Sequence, residues 1–388
     1  MRAMKARAYL DWNASAPLLP AARAAMLEAM GMAANASSVH AEGRAARQVV
    51  EAARAEVAAL AGGKPEHVVF TSGATEAAQM ALSPDYRMGR SPLKMSRVYV
   101  AATDHPCILG GGRFASDRVR AIGVDADGIL DMDMLRATLA KHDKSEGMAL
   151  VALHLANNET GVIQPVAEIG RIAREAGAVI ILDAVQAAGR VPLDISAGYA
   201  DFMILSAHKI GGPKGAGALV AASDLLMPAP LISGGGQEKG HRGGTENVPA
   251  IAGFGAAARE VLSHLGEIDQ VRRRRDAIEA DILALARDAV IYGRNAARLP
   301  NTSFFALPGV KAETGQIAFD LAGVALSAGS ACSSGRVGPS HVLEAMGYDG
   351  ESGLRVSIGP ATTDRDVQLF RKALAGIVAR RAARKEAA

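Results

Sequence analysis

The sequence predicts an α/β fold, with a large domain built on a mostly parallel central sheet and a smaller α+β domain. Three observations carry this. Short apolar, β-branched runs recur with helical patterns between them; polar residues gather just past those runs; and beyond about Gly255 the texture changes to a long charged helix pattern. The runs 67–70, 98–102, 149–155, 179–182, 202–205 and 218–221 read as buried strands. Between them, 76–82 and Val166–Ala176 read as helices, the second with Val166, Ile169, Ile172 and Ala173 on one face. Alternating strands and helices argue for a mostly parallel sheet, in which ligands collect at the carboxyl ends of the strands. A helix pattern from Glu260 to Leu285 and strand-like pieces at 301–306 and 354–358 form the second unit. The expected division is 15–255 for the large domain, with 1–14 and 256–388 in the small one.

Composition narrows the function classes. The 388 residues carry 43 Lys and Arg against 40 Asp and Glu, a net charge of +3, which speaks against a nucleic-acid partner. Hydrophobic residues make up 49% of the chain, too many for a disordered one. No uncharged apolar run reaches the roughly 18 residues a membrane helix needs. No apolar stretch follows the basic Arg2, Lys5 and Arg7, as it would in a signal peptide. The expectation is a cytoplasmic protein with no membrane partner. Two cysteines, Cys107 and Cys332, cannot make a disulfide framework, and neither they nor His154, His208 and His241 show zinc-ligand spacing, so no metal is expected. The run Arg272–Arg275 shares its helix with Glu267, Asp269, Asp276 and Glu279 and reads as a solvated face.

Polar residues past three strands suggest chemistry. After 67–70 comes Thr71-Ser72-Gly73-Ala74-Thr75-Glu76, opening a helix. Free N–H groups there suit a phosphate; alternatively Ser72 or Thr75 is a simple helix cap. Neither GxxxxGK[ST] nor GxGxxG is present. The strand ending at 182 is followed by Asp183 and, three residues on, Gln186. This is either a capping pair or a carboxylate aimed at a cationic ring nitrogen. Past Leu205 runs Ser206-Ala207-His208-Lys209, with Gly211 and Gly212 beyond. Lys209 is either a loop lysine reaching water or a partly desolvated amine able to form a Schiff base. An anion site, an acid and a lysine together suit pyridoxal phosphate.

Beyond these, Asn157-Asn158-Glu159-Thr160-Gly161, Asp183-Ala184-Val185-Gln186, Ser206-Ala207-His208-Lys209, Gly243-Gly244-Thr245-Glu246-Asn247 and Ser330-Ala331-Cys332-Ser333-Ser334-Gly335 resemble motifs of the cysteine desulfurases. These belong to the class V aminotransferase superfamily, and the nitrogen-fixation (NifS-like) branch looks nearest. The resemblance implies a pyridoxal-phosphate-dependent transferase of fold type I, a homodimer with its sites at the subunit interface. In it, Lys209 holds the cofactor's aldehyde, Asp183 the ring nitrogen and Gln186 the ring hydroxyl, while His105 stacks on the ring. Ala74, Thr75, Ser206 and His208 hold the phosphate, with Thr245 arriving from the partner subunit. Asn158 lies beside ring and substrate; Arg355 grips the substrate carboxylate, and Asn13 joins the substrate side. Lys209 and His105 move protons, and Cys332 takes sulfur from L-cysteine as a persulfide. A sulfur-acceptor protein such as an iron–sulfur scaffold would receive it. Pro360 replaces an arginine usual in the family, Trp12 a smaller polar residue, and Cys107 reads as packing. A selenocysteine lyase or aminotransferase would share the cofactor residues, with Cys332 as the discriminator. A cofactor-free interaction protein on the same fold would bind no pyridoxal phosphate.

Overall fold

The computed structural model describes residues 7–329 and 338–386. Cys332 and its neighbours at 330–337 lie outside the described residues. Among those described, a nine-stranded sheet forms the centre. Ser91–Ala101, Met148–His154, Val179–Asp183 and Phe202–Ser206 lie side by side and parallel, with Val119–Ile122 parallel to the end of the first. The central three are rich in Val, Ile, Leu and Ala and almost wholly buried, as parallel strands covered on both faces must be. Gly217–Ala221 runs antiparallel to Phe202–Ser206, and Val68–Thr71 antiparallel to it in turn. Two reversals point Val68–Thr71 the same way as the parallel core. Its carboxyl end therefore opens on the same edge as theirs.

Helices Pro20–Met30, Ala41–Leu60, Val166–Ala176 and Val248–Ser263 build one core with the first face of this sheet. Ala74–Ala81 builds the other, around Met80, Val100, Ile181 and Phe202. Close approach of two helices depends on a glycine: a Cβ on Gly255 would lie 2.5 Å from Ala53 Cα. Near by, Arg54 of Ala41–Leu60 makes a buried two-pronged ion pair with Glu238, at 2.6 and 2.9 Å. Glu238 also accepts the Phe70 N–H at 2.8 Å, pinning the glycine-rich loop 233–244 to the strand Val68–Thr71.

A four-stranded antiparallel sheet lies in the later part of the chain, in the order Val290–Ile291, Thr302–Ala306, Leu354–Ser357, Ser327–Ala328. Phe305, Phe319 and Phe370 anchor its core, the last two stacked with ring centres 5.3 Å apart. The strand Ala8–Tyr9 pairs with Val324–Ala325, and the chain then crosses to the large sheet, bonding Trp12 N to Ser357 O and Ala16 N to His208 O. The Trp12 ring lies against Gly359, where a Cβ would come within 2.2 Å of it.

The strand readings fall in the observed sheets with ends shifted by a few residues, and Val166–Ala176 forms as read. Three expectations change. The single helix from Glu260 to Leu285 is two, Val248–Ser263 and Ile268–Leu285, broken by a short turn at Leu265–Glu267 where Gly266 interrupts the pattern. The arginine run is not wholly a solvated face: Arg275 is buried, bonding Asp276 and the Leu299 carbonyl, while Arg274 pairs with Asp364. A hairpin of Asp85–Met88 and Ser91–Ala101 stands where no strand was read before 98. Among the described residues, no helix is long and apolar enough to cross a membrane. No group of three or more His, Cys, Asp and Glu among them could hold a metal.

Candidate active site

The carboxyl ends of the like-directed strands surround a cavity of about 540 Å³. The strand Val68–Thr71 delivers Ala74 and Thr75 at the start of Ala74–Ala81; Ser91–Ala101 leads to His105; Met148–His154 leads to Asn158; Val179–Asp183 delivers Asp183 and Gln186; and Phe202–Ser206 delivers Ser206, His208 and Lys209. Asn13 from the N-terminal crossing and Arg355 from Leu354–Ser357 close the opposite wall. Thr245 does not line this cavity and is exposed on its own chain.

Neither capping alternative accounts for the local residues. The N-cap of Ala74–Ala81 is Gly73, so the Ser72 and Thr75 hydroxyls are not spent there. Glu76 accepts the Ser72 N–H at 2.8 Å and is itself held by Arg242 at 3.0 Å. A Cβ on Gly217 would lie 2.9 Å from Ala74 N, so only glycine lets that strand pass beneath the helix start. Asp183 accepts the Val185 N–H at 3.0 Å, but Gln186 turns away, donating to Asn13 O at 3.0 Å and accepting from Arg190.

Burial sets the electrostatics. It pushes the Asp183 carboxyl up to about 6, with Asp104 adding to the rise and the Val185 N–H and Lys209 opposing it. Burial, with Lys209 and His341 near by, pulls His105 down to about 4; burial with Lys209 and Lys214 does the same to His208. Both rings are neutral at pH 7. His105 Nδ1 accepts the Cys107 N–H at 3.2 Å, which leaves the ring proton on Nε2. Lys209 donates from Nζ to the carbonyls of Asn13, at 2.5 Å, and Ala14, at 3.0 Å.

Arg355 is buried, donating to Asn158 O at 2.9 Å and to Asp11 at 2.8 Å. Among the described residues its buried Nε has no hydrogen-bond partner, a spare donor on a residue that lines the cavity and suits an incoming carboxylate. Asn13 is a hub: its side-chain amide reaches Asn158 O and Thr302, and accepts from Asn301 at 3.0 Å. Cys107, His154, Ser15 and Lys214 also line the cavity. Of these, sequence reading assigned Cys107 to packing and the others to nothing. A signal was present for His154, which closes the strand before Asn157-Asn158, and for Asp104, next to His105.

Glu159 sits behind this wall. It accepts from Ser340 at 2.6 Å, and a Cβ on Gly329 would lie 2.9 Å from the same carboxylate oxygen, so it touches the described residues on both sides of 330–337. Burial pushes it up to about 7, with Ser340 and Arg355 pulling down. A carboxyl raised in the folded state binds its proton more tightly there than in the unfolded chain. Its contribution is therefore complete below about pH 4.5 and lost as pH rises to about 7. Glu159→Gln keeps an acceptor for Ser340 and is expected to remove this loss, being more stable than wild type at pH 8 by about 3 kcal/mol. Urea unfolding of both proteins at pH 5 and pH 8 checks it: a gap that does not widen with pH overturns the assignment.

A lysine, a strand-end acid and a helix-start anion site converge on one cavity at the carboxyl edge of this sheet, and that arrangement defines a pyridoxal-phosphate enzyme of fold type I. The residues fit the group: the Asp183 carboxyl is buried yet faces the cavity, Gly217 leaves the backbone bare beneath Ala74, and Arg355 Nε waits unpartnered. The chain belongs to the aminotransferase class-V family, whose model matches residues 8–370. Its relatives include cysteine desulfurases. That of Frankia sp. (strain EuIK1) is 41% identical, covering 93% of this chain and 88% of its own. The cysteine desulfurase of Gluconacetobacter diazotrophicus is 39% identical, covering 96% and 93%. Among solved structures, a NifS-like protein from Rickettsia africae superposes with a TM-score of 0.84 at 32% identity, covering 96% of this chain and 99% of that one.

Proposed function

We propose that this chain is a cysteine desulfurase that moves the sulfur of L-cysteine onto Cys332, releases L-alanine and hands the sulfur to an acceptor. The observation that carries it is the convergence of Lys209, Asp183, His105 and the unpartnered Nε of Arg355 on one cavity. Family membership supports it. Pyridoxal phosphate, when bound, supplies an electron sink for negative charge at the substrate's α-carbon. Ala74, Thr75, Ser206 and His208 hold its phosphate, Asp183 its ring nitrogen, Gln186 its ring hydroxyl and Lys209 its aldehyde. Asn158 orients the substrate, and Arg355, itself oriented by Asp11, takes the substrate carboxylate in its fork. Lys209 Nζ and His105 Nε2 then move protons at the substrate's α-carbon and thiol.

Cys332 acts as a thiolate. Its sulfur forms an S–S bond to the substrate sulfur as the substrate's C–S bond breaks, the electron pair staying with carbon. Protonation of that carbon gives the methyl group of alanine, and the enzyme keeps Cys–S–SH. The reading includes a homodimer, cytoplasmic, in which the exposed Thr245 reaches the partner's phosphate site, and an iron–sulfur scaffold as acceptor. It also divides the chain into a cofactor domain, 15–255, and a small domain of 1–14 and 256–388. Alanine release from L-cysteine under reductant tests the activity. Cys332→Ala is expected to keep the bound-cofactor absorbance and lose about two orders of magnitude or more in turnover. A variant that turns over like wild type ends the persulfide route.

A further inference from the structure

One buried cluster beside the cavity is not used by the reaction as described. Asp104, fully buried, accepts the Ala101 N–H at 2.7 Å on one carboxylate oxygen. Its other oxygen takes the His154 N–H at 2.8 Å and His154 Nδ1 at 2.6 Å. The Asp104 carbonyl accepts from His341 Nε2 at 2.9 Å, so strand, turn and the helix His341–Ala345 meet at the residue preceding His105.

On the other side of the imidazole, His154 Nε2 lies 3.3 Å from Gln164 Nε2. Two backbone groups fix which way that amide points. The Leu130 N–H donates to Gln164 Oε1 at 3.0 Å, and the Gly128 carbonyl accepts from Gln164 Nε2 at 2.7 Å. The atom facing His154 is therefore an NH₂, a donor, and His154 Nε2 must accept. The single ring proton then sits on Nδ1 and goes to Asp104. His154 is neutral, and the charge of Asp104 is not cancelled by it. His154 also pairs in register with Asp183 on the neighbouring parallel strand, and both face the cavity. Registered partners in a parallel pair project to the same side of the sheet.

We propose that Asp104, His154 and Gln164 form one positioning unit, in which His154, locked as the neutral Nδ1–H tautomer, keeps an uncancelled negative charge behind Asp183 and so strengthens its hold on a cationic ring nitrogen. This deepens the cofactor reading above and rests on it. None of the three residues touches the reacting atoms; they act through Asp183, and through the turn that carries His105.

The test exchanges a donor for an acceptor. Gln164→Glu presents a carboxylate oxygen to His154 Nε2 and draws a second proton onto the ring; the new negative charge lies on the far side of the imidazole, while the imidazolium itself stands in register beside Asp183 and offsets Asp104 there. Gln164→Met breaks the same backbone bonds but leaves His154 neutral, so it reports damage alone. Nitrogen-15 NMR of the cofactor-free chain, with the His154 signal assigned by its loss in His154→Gln, is expected to show a neutral Nδ1–H ring at pH 7 in wild type and in Gln164→Met, and an imidazolium in Gln164→Glu. Titration with pyridoxal phosphate is expected to show affinity about tenfold weaker in Gln164→Glu, and within about threefold of wild type in Gln164→Met. Turnover of Gln164→Glu is expected to fall about tenfold with KM within about twofold.

An imidazolium or Nε2–H ring in wild type overturns the proposal. So does an imidazolium in Gln164→Glu with unchanged cofactor affinity, or an equal loss in Gln164→Met. A wild-type chain with neutral His154 that takes up no pyridoxal phosphate overturns the cofactor reading itself, and the NMR result tells the two failures apart.

Discussion

Lys209→Ala is expected to lower alanine release from L-cysteine by on the order of 10⁴-fold, because the proposed function gives this amine two tasks. Under that function it would hold the cofactor's aldehyde and then move a proton at the substrate's α-carbon. Its position allows both. It ends the turn Ala207–Lys209, which follows directly on Phe202–Ser206, and its Nζ reaches across to the Asn13 and Ala14 carbonyls, 2.5 and 3.0 Å away. Lys214 also lines the cavity and is the amine that could compensate. Borohydride trapping separates the two: wild type and Lys214→Ala should retain a cofactor adduct, and Lys209→Ala should not. An adduct on Lys209→Ala, or a loss of turnover under tenfold, would move the assignment to Lys214.

The largest stability effect is expected from Arg54→Met, a loss of about 3–5 kcal/mol, because it strands the Glu238 carboxylate inside the protein. Side-chain exposure is 7% for Arg54 and 3% for Glu238, so water cannot replace the missing partner. Arg54 also donates to the Val68 carbonyl at 2.9 Å and lies 4.9 Å from the centre of the Phe70 ring. The pair holds the loop in an unusual shape: Glu238 and Lys239 adopt φ of 48° and 55°, a left-handed conformation unfavourable for residues other than glycine. Adding Glu238→Gln removes the stranded charge while keeping an acceptor for the Phe70 N–H, and the double variant should recover most of the loss. Urea unfolding of wild type, single and double variants measures this. A single variant costing under about 1 kcal/mol would mean the ion pair does not hold the loop.

How far the sequence showed this molecule differs by region, for physical reasons. The strand readings succeed because strands covered on both faces must be apolar along their length, and Val179–Asp183 or Phe202–Ser206 cannot be mistaken for a solvated loop. The hairpin at Asp85–Met88 was hidden because only Tyr86 of its four residues is buried, and Asp85 and Arg87 break the apolar run. Lys209, Asp183 and Ala74 were legible because each follows a recognisable strand within a few residues. The pairing of Asp104 with His154 was not: each stands next to a recognisable motif, but the bond between them joins a turn and a strand end 50 positions apart, and nothing local marks either residue as paired. Arg54 and Glu238, 184 positions apart, were hidden for the same reason, with a loop of glycines disguising one partner. Thr245 was singled out by motif alone; it is exposed and does not line the cavity.

The hub at Asn13 has a consequence for the order in which the chain is made. Asn13 bonds to Asn158, to Thr302 and Asn301, and to Ser357, joining the beginning, middle and late parts of the chain at one point. During synthesis the large sheet can assemble well before the strand Leu354–Ser357 leaves the ribosome. Until then Asn13 N–H lacks the Ser357 hydroxyl, and the wall carrying Arg355 does not exist. The Arg355 wall of the cavity is thus among the last parts of the molecule to form, and a ribosome-bound chain truncated before residue 354 could hold a folded sheet without a complete pocket.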